Sequence, residues 1–202
     1  MLKIQDDIYI KRTFKFLAAT LLIFAISFIL AVIFSPSPET FKNVTNGTPA
    51  ALDKAQGLQK VWEYVLNNGF RVPIQMLLLA VIPIPFLYYL NILSTTILPA
   101  IVLGFAIHID LYKGSMMTIS AMPHFLLEIL GLCFVASGLL KVNQSIIRKI
   151  SNLFRNNKKE KLSLKLAIIN FLKIYVYIAL PLIILAAFTE TYLSELLIKS
   201  LI

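Results

Sequence analysis

The chain has 202 residues, 58% of them apolar or aromatic and only 14% charged, with a mean hydropathy of +0.82. A soluble domain carries roughly a quarter charged residues, so this composition excludes one and makes lipid the solvent for most of the chain. The net charge of +9 does not point to nucleic acid, because eight of the 19 Lys and Arg fall within residues 141–165 against one acid, Glu160.

In chain order, Lys3, Lys11, Arg12 and Lys15 precede an apolar run, Phe16–Phe34. The run is longer than the apolar part of a signal peptide and lacks an Ala-x-Ala-like site before Ser35-Pro36. It is expected to be a first membrane span, 16–34. A polar loop follows, in which Asn43-Val-Thr and Asn46-Gly-Thr have the form of glycosylation sequons. Such sequons matter only in a eukaryotic secreted context and are discounted.

Thr48-Pro49 fits a helix start. Leu58, Val61, Trp62, Val65, Leu66 and Phe70 then recur at helical spacing. An outer amphipathic segment, 49–71, is expected, lying along the interface or packed on the protein's own outer surface. The apolar stretch from Val72 to Ile109 is too long for one crossing. Asn91, Ser94, Thr95 and Thr96 suggest a turn, giving spans of about 72–92 and 96–109. Pro73, Pro83, Pro85 and Pro99 interrupt that hairpin, which is expected inside the bundle because freed backbone groups need cover.

A short loop, 110–115, leads to a fourth span at about 117–140. The basic segment 141–165 has an apolar stripe and is expected to be a cytoplasmic amphipathic helix on anionic lipid. Its Arg148, Lys149, Arg155, Lys158 and Lys159 would face lipid or a partner. A last span, about 166–188, precedes a tail with Glu190 and Glu195. With the basic segment inside, the positive-inside rule gives an N-terminus inside and a C-terminus outside. The expected fold is a multi-pass, all-α membrane protein of one polytopic domain and about five transmembrane helices.

Ionisable groups inside spans are costly and are functional candidates by default. His124 and Glu128 stand at i and i+4, one turn apart on one helix face, just after Pro123. The topology brings Glu190, and also His108 and Asp110, toward the same extracytoplasmic half. Three readings remain open. The cluster is a structural polar knot, a surface recognising a partner helix or translocated peptide, or a catalytic or metal site. For the last, His108, His124, Glu128 and Glu190 are the candidate ligands. No His-Glu-x-x-His, Walker motif, nucleophile elbow or dinucleotide fingerprint occurs. No cofactor is expected, and any energy source or hydrolase belongs to another subunit. The lone Cys133 allows no internal disulfide.

The run Met122-Pro123-His124-Phe125-Leu126-Leu127-Glu128 resembles the Pro-His-Gly-x-x-Glu signature of the stage II sporulation protein M (SpoIIM) family. Asn67-Asn68 resembles its paired asparagines, Ala186-Ala187-Phe188-Thr189-Glu190 its Ala-x-x-Glu ending, and Gly104 a family glycine. The similarity covers roughly 60–202. Phe125 replaces the glycine after the histidine, and Pro99 stands where Asn-Gly is usual.

The resemblance implies a non-enzymatic membrane subunit or scaffold of an envelope complex. Sporulation engulfment and circular-bacteriocin maturation, secretion or immunity are the two settings it implies. Partners would be membrane or ATPase subunits, a peptide or a peptidoglycan hydrolase, with no nucleic acid. A metal-dependent membrane enzyme using the His/Glu cluster and a permease subunit served by a separate ATPase are the alternatives.

Overall fold

The computed structural model describes residues 4, 6–34, 56–155, 160 and 162–201, and these are helical almost throughout, with no strand among them. The sequons, the Thr48-Pro49 helix start, Lys158 and Lys159 lie outside the described residues.

Helix α1 is Tyr9–Ile33. Helix α2 runs continuously over 57–81, through Gly57–Tyr64, a π-helical stretch Val65–Arg71 and Val72–Val81. Helix α3 is Leu90–Ile109, entered through a 3-10 turn at Leu87–Tyr89. Helix α4 is Leu111–Ser151. Helix α5 runs unbroken over 164–201, with π-helical stretches at Tyr175–Ala179 and Thr189–Ser194.

Four stretches are long and apolar enough to cross a membrane: Tyr9–Ile33, Leu87–Ile109, Leu111–Ser151 and Leu164–Ile198. The expected span 72–92 is not among them. It divides into the end of α2, an irregular stretch over 82–86 and the start of α3. The turn expected at Asn91–Thr96 is helical instead. The Ser94 and Thr95 hydroxyls donate back to the Asn91 carbonyl at 2.9 and 2.7 Å, so these polar side chains are satisfied without breaking the helix.

The chain turns earlier, where Pro83 and Pro85 withhold donors and Phe86 adopts a left-handed φ of 62°. Asn143 of α4 closes that turn. Its buried amide donates to the carbonyls of Ala80 and Ile82 at 2.9 Å each, with Ile84 at 3.4 Å. The Ile82 carbonyl also accepts from Ile84 N at 2.8 Å, so the Ala80 carbonyl at the end of α2 depends most on this amide. Asn143→Ala would remove the side-chain donor of the Ala80 carbonyl, and a loss of about 1–3 kcal/mol is expected, read as a lowered unfolding temperature in detergent.

The proline hairpin is not the interior of the bundle. That place belongs to α4, whose apolar window is 72% buried against 33% for the window of Leu87–Ile109. Ile74, Leu78, Ile84, Phe86, Leu90 and Leu98 are exposed on the hairpin, as befits surfaces that meet lipid. At 41 residues, α4 is about 60 Å long, twice the ~30 Å of hydrocarbon. The first part of the expected basic amphipathic helix is therefore the end of α4, with Val142, Asn143 and Ser145 buried.

The expected outer amphipathic segment is likewise not separate over its described residues. Residues 57–71 continue into 72–81, and Val61 and Val65 pack with Ala187 of α5. Asp110, expected in a loop, is the single residue between α3 and α4, and its carboxylate caps α4 by accepting from Lys113 N at 3.0 Å.

Two further ties set the register. Arg12 pairs with Asp6, its Nη2 lying 2.5 Å from Oδ2, and donates to the Ser137 carbonyl at 3.0 Å. This joins the start of α1 to α4. At the other end Gly104 of α3 meets α1 so closely that a Cβ there would lie 2.6 Å from the Ala31 Cβ. Between these ends, the ring of Phe125 sits 4.5 Å from that of Phe24. The bulky residue that replaces a family glycine thus fills the α1–α4 seam.

Candidate functional site

Three helices converge on one polar cluster. Helix α4 supplies His124 and Glu128, α2 supplies Tyr64, Asn67 and Asn68, and α5 supplies Glu190 and Ser194. One turn separates His124 from Glu128, so both point to the same neighbours. His124 Nδ1 lies 2.5 Å from Glu190 Oε2. The contact sets an imidazole against a carboxylate and is an ion pair only with a protonated ring.

Glu190 Oε1 accepts from the Tyr64 hydroxyl at 3.2 Å, and Oε2 from Ser194 Oγ at 3.3 Å. Glu128, 9% exposed, lines the same small cavity as the Asn68 side chain. Asn68 in turn accepts from Asn67 Nδ2 at 2.6 Å. Asn67 thus joins the cluster through Asn68, which stands beside Glu128.

Backbone irregularity surrounds the cluster. Pro73 has no N–H for the Gly69 carbonyl one turn back. The Tyr175 hydroxyl donates to that carbonyl instead, at 2.5 Å. Asn67, Asn68 and Gly69 lie in the π-helical stretch of α2, Tyr175 opens one of those in α5, and Glu190 lies in the other. Such stretches recur at functional sites because they re-aim side chains.

On α4, Pro123 withholds its donor from the carbonyl four residues back, and the neighbouring Ser120 carbonyl takes a hydrogen bond from Ser194 at 2.9 Å. Outward from the cluster, Lys60 of α2 pairs with Glu195 of α5 at 3.4 Å. The space left in the middle is a cavity of about 10 Å³, lined by Tyr64, Asn68, His124, Glu128 and Glu190 with Ile183, Ala186 and Ala187. That is room for about one water molecule.

Of the expected residues, His124, Glu128, Glu190 and Asn68 meet, Asn67 joins them through Asn68, and Pro123 sits beside His124. His108 and Asp110 do not join. His108 Nδ1 faces the Val32 carbonyl at 3.0 Å, and Asp110 is spent as the α4 cap. The four ligands of the metal alternative are thus not assembled. Among the described residues no three His, Cys, Asp or Glu side chains form a group that could hold a metal ion.

The cluster also contains residues the sequence reading left out: Tyr64, Ser194 and the Lys60–Glu195 pair. Tyr64 stands one turn before Asn68 and so on its face, a signal present in the spacing. Ser194 had none. Of the basic residues, Lys149 and Arg155 are exposed and Arg148 donates to the Glu160 carbonyl at 3.4 Å.

Comparison with known proteins supplies one match. The family model described as "Stage II sporulation protein M" matches residues 20–195. No curated protein and no solved structure matches the chain. The matched stretch covers most of the chain and contains the whole cluster, so the protein belongs to the stage II sporulation protein M (SpoIIM) family, as a membrane protein of that family.

Proposed function

We propose that the chain is a non-enzymatic, multi-pass subunit or scaffold of a bacterial envelope complex in the cytoplasmic membrane. It would serve sporulation engulfment or circular-bacteriocin maturation, secretion or immunity. The observation that carries this reading is the cluster itself. Its side chains are spent on one another across α2, α4 and α5, and the cavity holds about one water, too little for a substrate.

The same contacts support five crossings. Asn68 lines one cavity with Glu128 while Asn143 caps the end of α2, so α2 runs alongside α4 over most of a span. Leu58, Trp62, Leu66, Phe70, Ile74 and Leu78 form an exposed i+4 stripe along it. With residues 141–165 cytoplasmic, α1 then runs outward and α5 ends outside. Phe24, near the middle of the apolar run Phe16–Phe34, touches Phe125. On that orientation the cluster would lie near the bilayer midplane.

A node that joins three helices at mid-depth sets the shape a partner helix meets. Glu128→Gln keeps that shape and removes the charge. The variant is expected to insert and fold, with stability lowered by about 1–2 kcal/mol, and to lose partners that co-purify with the wild type from native membranes in mild detergent. Retention of the same partners in the same amounts would overturn a role for the cluster in assembly. Wild type purifying as a lone monomer would overturn the complex itself. Ionisable groups at mid-depth and proline-broken helices also favour a permease subunit, and an ATPase among the co-purifying partners would select that reading.

A further inference from the structure

At the opposite end from the cluster, a second cavity of about 180 Å³ opens between the segment before α1, the lower part of α4 and the start of α5. Its walls divide by chemistry. Leu162, Leu166 and Ala167 make an apolar side, while Lys141, Ser145, Ser163 and Asn170 make a polar one, with Asp6 at the edge.

The acid there is already taken. Arg12 holds both oxygens of Asp6, at 3.3 and 2.5 Å. No acid of the described residues pairs with Lys141, so its ammonium is the cavity's uncompensated charge. Ser163 accepts from Leu166 N at 3.3 Å and keeps its own hydroxyl proton to donate.

Depth selects the occupant. Lys141 stands one turn beyond Ser137, which receives Arg12 and donates to the Tyr9 carbonyl at 2.8 Å where α1 begins. The apolar run of α1 starts only at Phe16, so the cavity sits at headgroup level at the end of the bundle that carries Lys11, Lys15, Lys149 and Lys165. A cation and a hydroxyl beside an apolar wall, at that level, suit a phosphate with acyl chains attached.

We infer that this cavity binds the phosphate headgroup of one anionic phospholipid, with Lys141 as its charge partner and Ser163 as a hydrogen-bond donor. The site is separate from the His124–Glu190 cluster and needs none of the assembly role proposed for it, only that this end of the bundle reaches a membrane surface. The lipid would wedge between α4 and α5 rather than spread over the exposed basic residues.

Native mass spectrometry of the full chain, released from nanodiscs of mixed phosphatidylglycerol and phosphatidylethanolamine, reads this out. The wild type is expected to retain one phosphatidylglycerol. Lys141→Gln should lower its occupancy about tenfold, and Lys149→Gln, an exposed control, should leave it unchanged.

Equal losses in both variants would mean diffuse attraction and would overturn the site. Equal retention of phosphatidylethanolamine, or no retained lipid in the wild type, would do the same. Inorganic phosphate raising the unfolding temperature of the wild type as much as phosphatidylglycerol would overturn the lipid as occupant. Because Lys141 is part-exposed, circular dichroism and the unfolding temperature of lipid-free Lys141→Gln are expected to match the wild type, so lost lipid is distinguishable from lost fold.

Discussion

His124→Ala is expected to destabilise the bundle by about 1–3 kcal/mol, the loss typical when a part-buried polar group is left without one of its partners. The variant leaves the part-buried Glu190 carboxylate beside the buried Glu128, with Tyr64 and Ser194 still donating but no cation in contact. Glu190→Gln is the milder change. It leaves an imidazole that can stay neutral and an amide of the same shape, so about 1–2 kcal/mol is expected.

In the double variant the unpaired charge is gone, and its stability should lie closer to that of Glu190→Gln than to the sum of the single losses. A double-mutant cycle of unfolding in mild detergent therefore separates a charge pair from mere proximity. Ordinary interhelical hydrogen bonds in membranes average about 0.6 kcal/mol by the same measurement. A coupling no larger than that would show that the short His124–Glu190 contact carries no special charge interaction.

That cluster was largely legible before the structure, because two simple constraints suffice to assemble it. Helical periodicity puts His124 and Glu128 on one face, and the single strongly basic segment orients α4 and α5 so that Glu190 returns toward them. Asn68 was reached only through the family resemblance, since nothing in its spacing places it beside Glu128.

The same reasoning failed where local sequence is silent about distant partners. Ile82–Phe86 is as apolar as a span, and its role as a turn depends on Asn143, some sixty residues away, which donates to the Ala80 carbonyl at the end of α2 and to Ile82 beyond it. Asn91, Ser94 and Thr95 looked like a turn by composition. Their compatibility with a helix rests on hydroxyls that bond back one turn, an option composition does not distinguish. Helix α4 gives no sign of being the central element either. Lipid-facing and protein-facing helices are equally apolar, so burial is decided by packing and not by hydropathy.

Packing of that kind is tested most severely at Gly104, where a Leu is expected to unseat α3 from α1. A Cβ at this position would lie 2.6 Å from the Ala31 Cβ and 2.8 Å from the Phe28 carbonyl, inside contact distance of a side chain with no freedom and of backbone. Neither neighbour can swing aside, so the helices must separate along the seam that holds Phe28, Ala31 and Val32. Small residues at a membrane helix crossing let backbones approach, and the dispersion lost on separation has no hydrophobic term to replace it, because lipid tails are as apolar as the partner.

Overpacking in soluble cores costs about 1–3 kcal/mol. With backbone on one side of the clash, Gly104→Leu should sit at the upper end of that range or beyond it. Gly104→Ala should cost less and respond to its surroundings: trimming the opposing methyl with Ala31→Gly in the same chain should return most of the lost stability. Rescue of Gly104→Ala by Ala31→Gly, measured as recovered unfolding temperature, would tie the cost to this one contact. A loss that Ala31→Gly leaves untouched would place it in the Phe28 carbonyl, and an unchanged unfolding temperature for Gly104→Leu would mean that α1 and α3 do not cross this closely in the membrane.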